Sequence, residues 1–249
     1  MENSEPESKR SGVTRLKCGA FILGIRLNHA ISNSLGLKQF LEAATELARG
    51  AGAPSQLPVW RREILKARDP PRVTCTHPEF EDTVDAGSAV AMSDPTNMAH
   101  GSFFFGPWEV ASIKQHLPHH LVPKCSTFEL LTACLWKCRT IALEVEPDNV
   151  VKATVLSKAG HLCTSPLGYA VELVKKAKEK VSEEYIRSSI DASVVKGGPK
   201  HTTIWDYVVA DTTKVGFEAV DFEWGKPVYA SVAGAIPLTI IYVKYKLRV

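Results

Sequence analysis

The chain has 249 residues, and 45% of them are hydrophobic, which is enough for one large domain or two smaller ones with a substantial core. Its formal net charge of +3 is too small to indicate nucleic-acid binding, and no apolar run approaches the length needed to span a membrane. Six scattered cysteines lack the spacing of a disulfide framework or a zinc site, so we expect reduced thiols in the cytoplasm and no bound metal.

The first hundred residues are predicted to contain one strand and one helix between less regular segments. Met1–Gly12 is polar and charged throughout, which indicates a disordered leader rather than a signal peptide. Gly19–Leu27 alternates large apolar residues with smaller ones, as a half-buried strand does. Ser34–Arg49 carries apolar residues at helical spacing, and Gly50 is predicted to end this helix. Ala51–Asn97 is punctuated by prolines and is predicted to cross between two lobes.

The rest of the chain alternates between predicted helices and strands. Ser126-Thr127-Phe128-Glu129 is a capping box, which opens a helix that ends near Leu143. Ser165 and Pro166 are typical of the cap and the first position of another helix, which continues to about Ile190. The other predicted elements are a helix over Pro107–Leu117 and strands over Phe103–Phe105, Ile204–Ala210, Val228–Ser231 and Ile236–Val243.

Two short motifs carry the functional signal. In Asn28–Gly36, His29 lies at the mouth of a strand-to-helix turn, and Asn33 and Gly36 follow it. A histidine that is held by rigid elements and is still accessible to a ligand can act as a general base. The plain alternative is a histidine that merely closes a turn. The second motif, Asp221-Phe222-Glu223-Trp224-Gly225, lies far downstream.

Taken in this order, the two motifs resemble those of the BAHD family of plant acyl-CoA-dependent acyltransferases. That family carries a His-x-x-x-Asp motif and a later Asp-Phe-Gly-Trp-Gly motif, each of which differs here by one residue: Asn33 and Glu223. The resemblance extends from about Val13 to Pro237. The run Arg68–Arg72, with His77 and Glu79 after it, resembles the branch that acylates small alcohols such as benzyl alcohol. Other segments that carry the resemblance are Arg26-Leu27-Asn28, Leu57-Pro58-Val59-Trp60, Leu130–Thr140 and Lys226-Pro227-Val228-Tyr229.

The resemblance implies an α/β fold of the chloramphenicol acetyltransferase-like two-lobed acyltransferase type, which we expect to be incomplete. A family member is close to twice as long, and an internal stretch near Val155–His161 is expected to be deleted. The expected parts are a disordered leader over 1–12, a partial N-terminal lobe with the His motif over 13–50, a crossover loop region over 51–100 and an incomplete C-terminal lobe over 101–249. Lost strands would expose sheet edges, which favours self-association.

The resemblance also implies a role for each motif residue. His29 is the general base that takes the proton of the alcohol, and Trp224 is a candidate donor to the oxyanion of the tetrahedral intermediate. A tryptophan that only fills a loop is an equally good interpretation. Residues that shape the two motifs without reacting are Asn33, Gly36, Asp221, Phe222 and Gly225.

The two substitutions within the motifs have different expected consequences. Asn33 has the shape of the family's aspartate and caps a helix equally well, but it lacks the charge that pairs with an arginine in the family. Glu223 replaces a glycine, and it would strain the loop by roughly a kcal/mol or more if this position requires a positive φ.

Two functions of different class follow. The first is an O-acyltransferase that transfers an acyl group from a coenzyme A thioester to a small alcohol, as in the formation of volatile esters in plant secondary metabolism. Acyl-CoA is then a co-substrate, no cofactor is bound, and neither nucleic acid nor a membrane is an expected partner. The second is a catalytically silent truncated remnant, or a binding module, of the same family.

Overall fold

The computed structural model describes residues 9–80, 101–152, 156–198, 207–232 and 239–245, which contain six α-helices and six β-strands. The helices are α1 (Ser34–Ala48), α2 (Pro107–Lys114), α3 (Thr127–Ala142), α4 (Ala159–Thr164), α5 (Leu167–Lys180) and α6 (Glu183–Lys196). The strands are β1 (Lys9–Arg15), β2 (Phe21–Leu27), β3 (Val150–Lys152), β4 (Leu156–Lys158), β5 (Val208–Asp211) and β6 (Thr239–Tyr242). They pair as β1–β2, β3–β4 and β5–β6.

The chain forms two compact units. Unit 1 contains Met1–Val59, Asp211–Ala235 and Ile241–Val249, and unit 2 contains Trp60–Ala210 and Ile236–Ile240. The expected domain ranges follow the order of segments along the chain, whereas the units combine segments that are distant in sequence. The two predicted motifs both lie in unit 1.

In unit 1, β1 and β2 form an antiparallel hairpin whose register runs from Lys9 opposite Leu27 to Arg15 opposite Phe21. The prediction of a disordered leader was therefore wrong for residues 9–12, which are part of β1, while residues 1–8 lie outside the described residues. A polar composition indicates that a segment buries little apolar surface. It does not reveal that a neighbouring strand can pair with the backbone of that segment.

Helix α1 begins and ends as its sequence predicts. The Asn33 side chain accepts the backbone N–H of Gly36 at the N-terminus, and Gly50, at φ 87°, follows the last turn. Because glycine adopts a positive φ without a side-chain penalty, it can reverse the chain here. Only Leu41 and Thr45 of this helix are buried.

The core of unit 2 is built around α3 and α5. Its fully buried members include Leu130, Trp136, Leu162 and Val171. The predicted capping box at the start of α3 is confirmed, since the side chains and backbones of Ser126 and Glu129 bond reciprocally. Across the core, α3 also holds the C-terminal end of α4. The Nζ of Lys137 donates to the carbonyls of Leu162 and Cys163 at 3.0 and 2.7 Å, and to that of Ser165.

The long helix predicted to continue to about Ile190 is two helices. Helix α5 ends at Lys180, and Ser182 caps α6 by accepting the Tyr185 N–H at 3.1 Å. The sequence prediction was wrong because a serine that caps a new helix competes with continuation of the old one.

The predicted strands were placed with mixed success. Residues 103–105 and 228–231 have no regular structure, so those two predictions were wrong. Aromatic and β-branched residues form a strand only where a neighbouring strand supplies the ladder. Strands β5 and β6 confirm the described parts of Ile204–Ala210 and Ile236–Val243, whereas residues 204–206 and 236–238 lie outside the described residues. No helix in the described ranges is both long and apolar enough to cross a membrane.

Candidate functional site

His29 lies in the short turn between β2 and α1, and its side chain is exposed. Strand β2 ends at Leu27 and α1 begins at Ser34, so regular structure fixes the turn at both ends. The predicted strand–turn–helix placement of His29 is therefore confirmed. An imidazole in this position can exchange a proton with a molecule that approaches from solvent.

Two asparagine side chains hold this turn. The Oδ1 of Asn28 accepts the N–H of Ala30 at 2.9 Å, and the Asn28 carbonyl accepts the N–H of Ile31 at 2.9 Å. The Oδ1 of Asn33 accepts the N–H of Gly36 at 3.0 Å and thereby caps α1. The amide at position 33 therefore performs the capping role that we predicted for it.

Gly36 allows the chain to pass closely beside Ser32. A Cβ at position 36 would collide with the Oγ of Ser32, which donates to the carbonyl of Asn33 at 3.0 Å. A larger residue at position 36 would require that hydroxyl to rotate away from its bond. This contact supports a structural role for Gly36 in the turn.

The second motif forms a tight loop in unit 1. The Oδ1 of Asp221 accepts the N–H of Glu223 at 2.8 Å, and the Asp221 carbonyl accepts a bond from Nη1 of Arg49 at 3.0 Å. Glu223 has φ 70° and Gly225 has φ 104°. Position 223 therefore has the positive φ on which the predicted strain depends.

Trp224 packs against other aromatic rings and not beside His29. Its ring is perpendicular to that of Phe21 at a centroid distance of 5.3 Å, and it stacks on Phe222 at 5.8 Å. Phe21 begins β2, whereas His29 follows its end, and six steps along a strand cover roughly 20 Å. An oxyanion donor has to lie about 3 Å from the reacting oxygen. The packing of Trp224 therefore favours the loop-filling interpretation.

A second group of polar contacts, which sequence reasoning missed, lies in unit 2. Residues 68–80, which we call the docked segment, lie along one face of α6. Asp191 of α6 is fully buried and accepts the N–H of Arg68 at 2.7 Å, the Nε of Arg68 at 2.5 Å and the N–H of Arg72 at 2.9 Å. Burial alone would raise the pKa of Asp191, but these bonds from Arg72 and Arg68 outweigh it, so that the pKa is lowered.

Within the docked segment, His77 lies between Ser188 of α6 and Glu79 in an arrangement like a nucleophile–base–acid triad. Its Nε2 is 2.8 Å from the Oγ of Ser188, and its Nδ1 is 2.8 Å from Oε1 of Glu79. However, Ser188 is fully buried, and its Oγ also accepts the N–H groups of Thr74 and Cys75 at 3.0 Å each. The hydroxyl proton is therefore directed to Nε2, and no substrate can reach the oxygen. These contacts hold the segment and do not form a nucleophile.

Tyr185 completes this network. Its hydroxyl donates to the two carboxylate oxygens of Glu79 at 3.0 and 3.1 Å. Burial, together with the negative charge of Glu79, raises the pKa of Tyr185 to about 12, so the phenol stays a donor over the whole physiological range. Glu184 of α6 also belongs to this network, because its carboxylate accepts a bond from Nη1 of Arg68 at 3.0 Å. The sequence signal for the network was the spacing of Glu184, Ser188 and Asp191 on one helical face. The predicted helix ended near Ile190, so Asp191 fell outside it, whereas α6 continues to Lys196.

In the described ranges, no group of three or more His, Cys, Asp or Glu side chains is placed so that it could hold a metal ion. All six cysteines are free thiols.

A family model described as the Transferase family matches residues 11–157 and 149–235 of the chain. The chain belongs to this family, the BAHD acyltransferases. The match is in two pieces, which meet where we expect the internal deletion. Glu223 and Asn33 are therefore departures within the motifs of a BAHD chain, and the structure accommodates both locally.

Curated relatives of this BAHD chain act on alcohols according to their names. Alcohol acyl transferase 1 allele RGb of Malus domestica is 45% identical over a match that covers 94% of this chain and 58% of the relative. Benzyl alcohol O-benzoyltransferase of Nicotiana tabacum is 46% identical over a match that covers 94% of this chain and 57% of the relative. The chain thus spans somewhat more than half the length of the relatives it matches.

Solved structures show the same fold. Vinorine synthase matches with a TM-score of 0.62 and 14% identity, covering 97% of this chain and 60% of that one. TRI101 of F. sporotrichioides, solved with coenzyme A and T-2, matches with a TM-score of 0.64 and 13% identity, covering 92% and 60%. The predicted α/β acyltransferase fold is therefore confirmed. Identities this low establish the fold alone.

Proposed function

We propose that this BAHD chain is an acyl-CoA-dependent O-acyltransferase, which transfers an acyl group to a small alcohol. The observation that carries the proposal is the exposed His29, which is presented by a capped strand-to-helix turn. The names of the relatives, alcohol acyl transferase and benzyl alcohol O-benzoyltransferase, support the class of reaction. The free state of all six cysteines is compatible with a reducing compartment, so we place the reaction in the cytoplasm.

The proposed chemistry needs one proton carrier. The imidazole of His29 takes the hydroxyl proton of the alcohol as its oxygen attacks the thioester carbonyl of acyl-CoA. When the tetrahedral intermediate collapses, its carbon–sulfur bond breaks, and the thiolate of coenzyme A receives the proton from the imidazolium. The products are an ester and free coenzyme A, and no resident metal or cofactor takes part.

The remaining motif residues have supporting roles in this proposal. Asn33 and Gly36 shape the turn that presents His29, while Asp221, Phe222 and Gly225 shape the loop of the second motif. Trp224 anchors that loop to the start of β2, which weakens its candidacy as the oxyanion donor. A hydrogen-bond donor other than Trp224 would then have to stabilise the oxyanion.

The test is release of free thiol when the purified chain is incubated with benzyl alcohol and either benzoyl-CoA or acetyl-CoA. We expect His29→Ala to lower the rate by about two to four orders of magnitude, the usual contribution of a general base. His119→Ala removes another exposed histidine and should leave the rate unchanged. Near wild-type turnover in His29→Ala would exclude His29 as the base.

The second candidate function is a binding module without catalysis. It is favoured by Asn33, which caps α1 but carries none of the charge of the family's aspartate. Under this alternative, calorimetry would detect binding of coenzyme A while no thiol is released with either acyl donor. Measurable turnover that depends on His29 would exclude it.

Self-association is a further part of the proposal. In the described part of unit 1, β1 pairs only with β2, so each of these strands has a second edge that is open to another strand. Sedimentation velocity at several protein concentrations would test this, and a monomer at every concentration would refute it.

A further inference from the structure

We propose that Asn28 is a positioning residue for His29, which it controls through the turn that carries the histidine. The inference rests on the proposed function, because it concerns the placement of the same base. Asn28 immediately precedes His29 and supplies two of the bonds that close the turn, one from its side chain and one from its backbone.

Both bonds span position 29, because each joins Asn28 to a residue that follows His29. The Asn28 carbonyl accepts the N–H of Ile31, and any residue at position 28 could supply that acceptor. The bond from the Ala30 N–H to Oδ1 is different, because it needs a side chain with an acceptor oxygen at the γ position. Asparagine and aspartate meet this requirement, whereas leucine has the same size but no acceptor.

Packing does not hold this turn. The four residues Asn28, His29, Ala30 and Ile31 are all exposed, so no buried side chain fixes the backbone between β2 and α1. The cap at Asn33 fixes the start of the helix, four residues beyond the histidine. The conformation at His29 itself therefore depends on the hydrogen bonds of Asn28.

Displacement of the general base should lower the catalytic rate more than it weakens substrate binding. Because a general base has to lie within hydrogen-bond reach of the proton it removes, a shift of about 1 Å can cost on the order of a hundredfold in rate. Asn28→Leu should therefore lower kcat by about ten- to a hundredfold and change KM by less than about twofold, because the substitution moves the base and the proposal gives the Asn28 side chain no contact with either substrate. Asn28→Asp keeps the acceptor and should therefore retain most of the wild-type kcat.

The kinetic test compares wild type, Asn28→Leu and Asn28→Asp with benzoyl-CoA and benzyl alcohol. The proposal is supported by a loss of kcat in the leucine variant and its recovery in the aspartate variant. Wild-type kcat in Asn28→Leu would overturn it, and so would a loss that appears only in KM or a loss of the same size in both variants.

A second measurement does not need turnover. Amide hydrogen exchange at Ala30, followed by NMR, should accelerate about tenfold in Asn28→Leu and remain near the wild-type rate in Asn28→Asp, since only the leucine variant loses the hydrogen bond that protects this N–H. Unchanged exchange at Ala30 in Asn28→Leu would overturn the proposal. If wild type releases no thiol, the proposed function fails, and the exchange data alone decide whether Asn28 holds the turn.

Discussion

Glu223 occupies a backbone conformation that favours glycine. At φ 70°, its Cβ lies close to the backbone, and the bond from its N–H to Asp221 keeps it there. We expect Glu223→Gly to raise the free energy of unfolding by roughly 0.5–1 kcal/mol, since relief of strain is partly offset by the larger entropy of glycine in the unfolded chain. Urea unfolding followed by fluorescence would measure the change.

The matched controls for this prediction are two other substitutions at the same position. Glu223→Ala keeps a Cβ in the left-handed region and should be no more stable than wild type, whereas Glu223→Asn should gain part of the benefit, because asparagine tolerates that region. An alanine variant as stable as the glycine variant would show that the effect does not come from φ.

At the scale of single residues, the two motifs indicated much of what the structure shows. The turn location of His29 and the cap at Asn33 follow from local patterns, because each depends on neighbours within a few positions. The positive φ at Glu223 was indicated only by the resemblance, in which a glycine occupies this position. The surroundings of Trp224 could not be predicted in this way. Its contact with Phe21 joins residues that are about two hundred positions apart.

The contact between α6 and the docked segment depends on Ser188, whose oxygen serves three partners. Ser188→Ala leaves His77 Nε2 and the N–H groups of Thr74 and Cys75 without their buried partner. Since each unsatisfied buried group is costly, we expect a loss of about 2–4 kcal/mol in the free energy of unfolding. Ser193→Ala, at an exposed serine of the same helix, should change it by less than about 0.5 kcal/mol. Similar values for the two variants would contradict the structural role of the cluster.

The same contact should make the chain sensitive to acid. The pKa of Asp191 is lowered in the folded protein, so its stabilising effect is complete above the ordinary carboxyl range and is lost as pH falls through the lowered value. We expect Asp191→Asn to melt several degrees below wild type at pH 7. Its melting temperature should then fall less steeply than that of wild type on acidification below about pH 4.

Asp148→Asn provides the control for this pH dependence. The side chain of Asp148 is 95% exposed and forms a surface ion pair with Lys158 at 3.2 Å, so the melting curve of this variant should follow that of wild type at every pH. Parallel curves for Asp191→Asn and wild type down to pH 3 would show that this carboxylate does not control the acid response.

At the scale of elements, capping residues and periodicity predicted α1, α2 and α3 well. These local signals gave wrong predictions where contacts between distant parts of the chain determine the secondary structure. Residues 103–105 are aromatic enough for a strand but have none, because no ladder forms there, and Ser182 ends one helix by starting another. The docked segment could be recognised in the sequence only as a resemblance, because its partner face on α6 lies more than a hundred residues downstream.

At the scale of the whole molecule, the resemblance predicted the fold class. The burial pattern shows that the helices of the two units bury very different amounts of apolar surface. Helix α3 of unit 2 buries seven residues, among them Leu130 and Trp136 at 0% exposure. Helix α1 of unit 1 buries Leu41 and Thr45, while its apolar residues Phe40 and Leu47 are 65% and 48% exposed. Periodicity identified the apolar face of α1, but it could not show how much of that face would be covered.

We therefore expect unit 1 to open at a lower free energy than unit 2. Hydrogen exchange followed by mass spectrometry should show peptides from α1 losing protection at a lower urea concentration than peptides from α3, because fewer buried apolar contacts oppose their opening. Leu130→Ala should reduce the protection of α3 by about 2–5 kcal/mol, as expected for a buried leucine, and should leave the urea midpoint of α1 unchanged. If α1 and α3 lose protection together in wild type and shift together in Leu130→Ala, the two units unfold as one cooperative body, and the weak burial of α1 does not limit its stability.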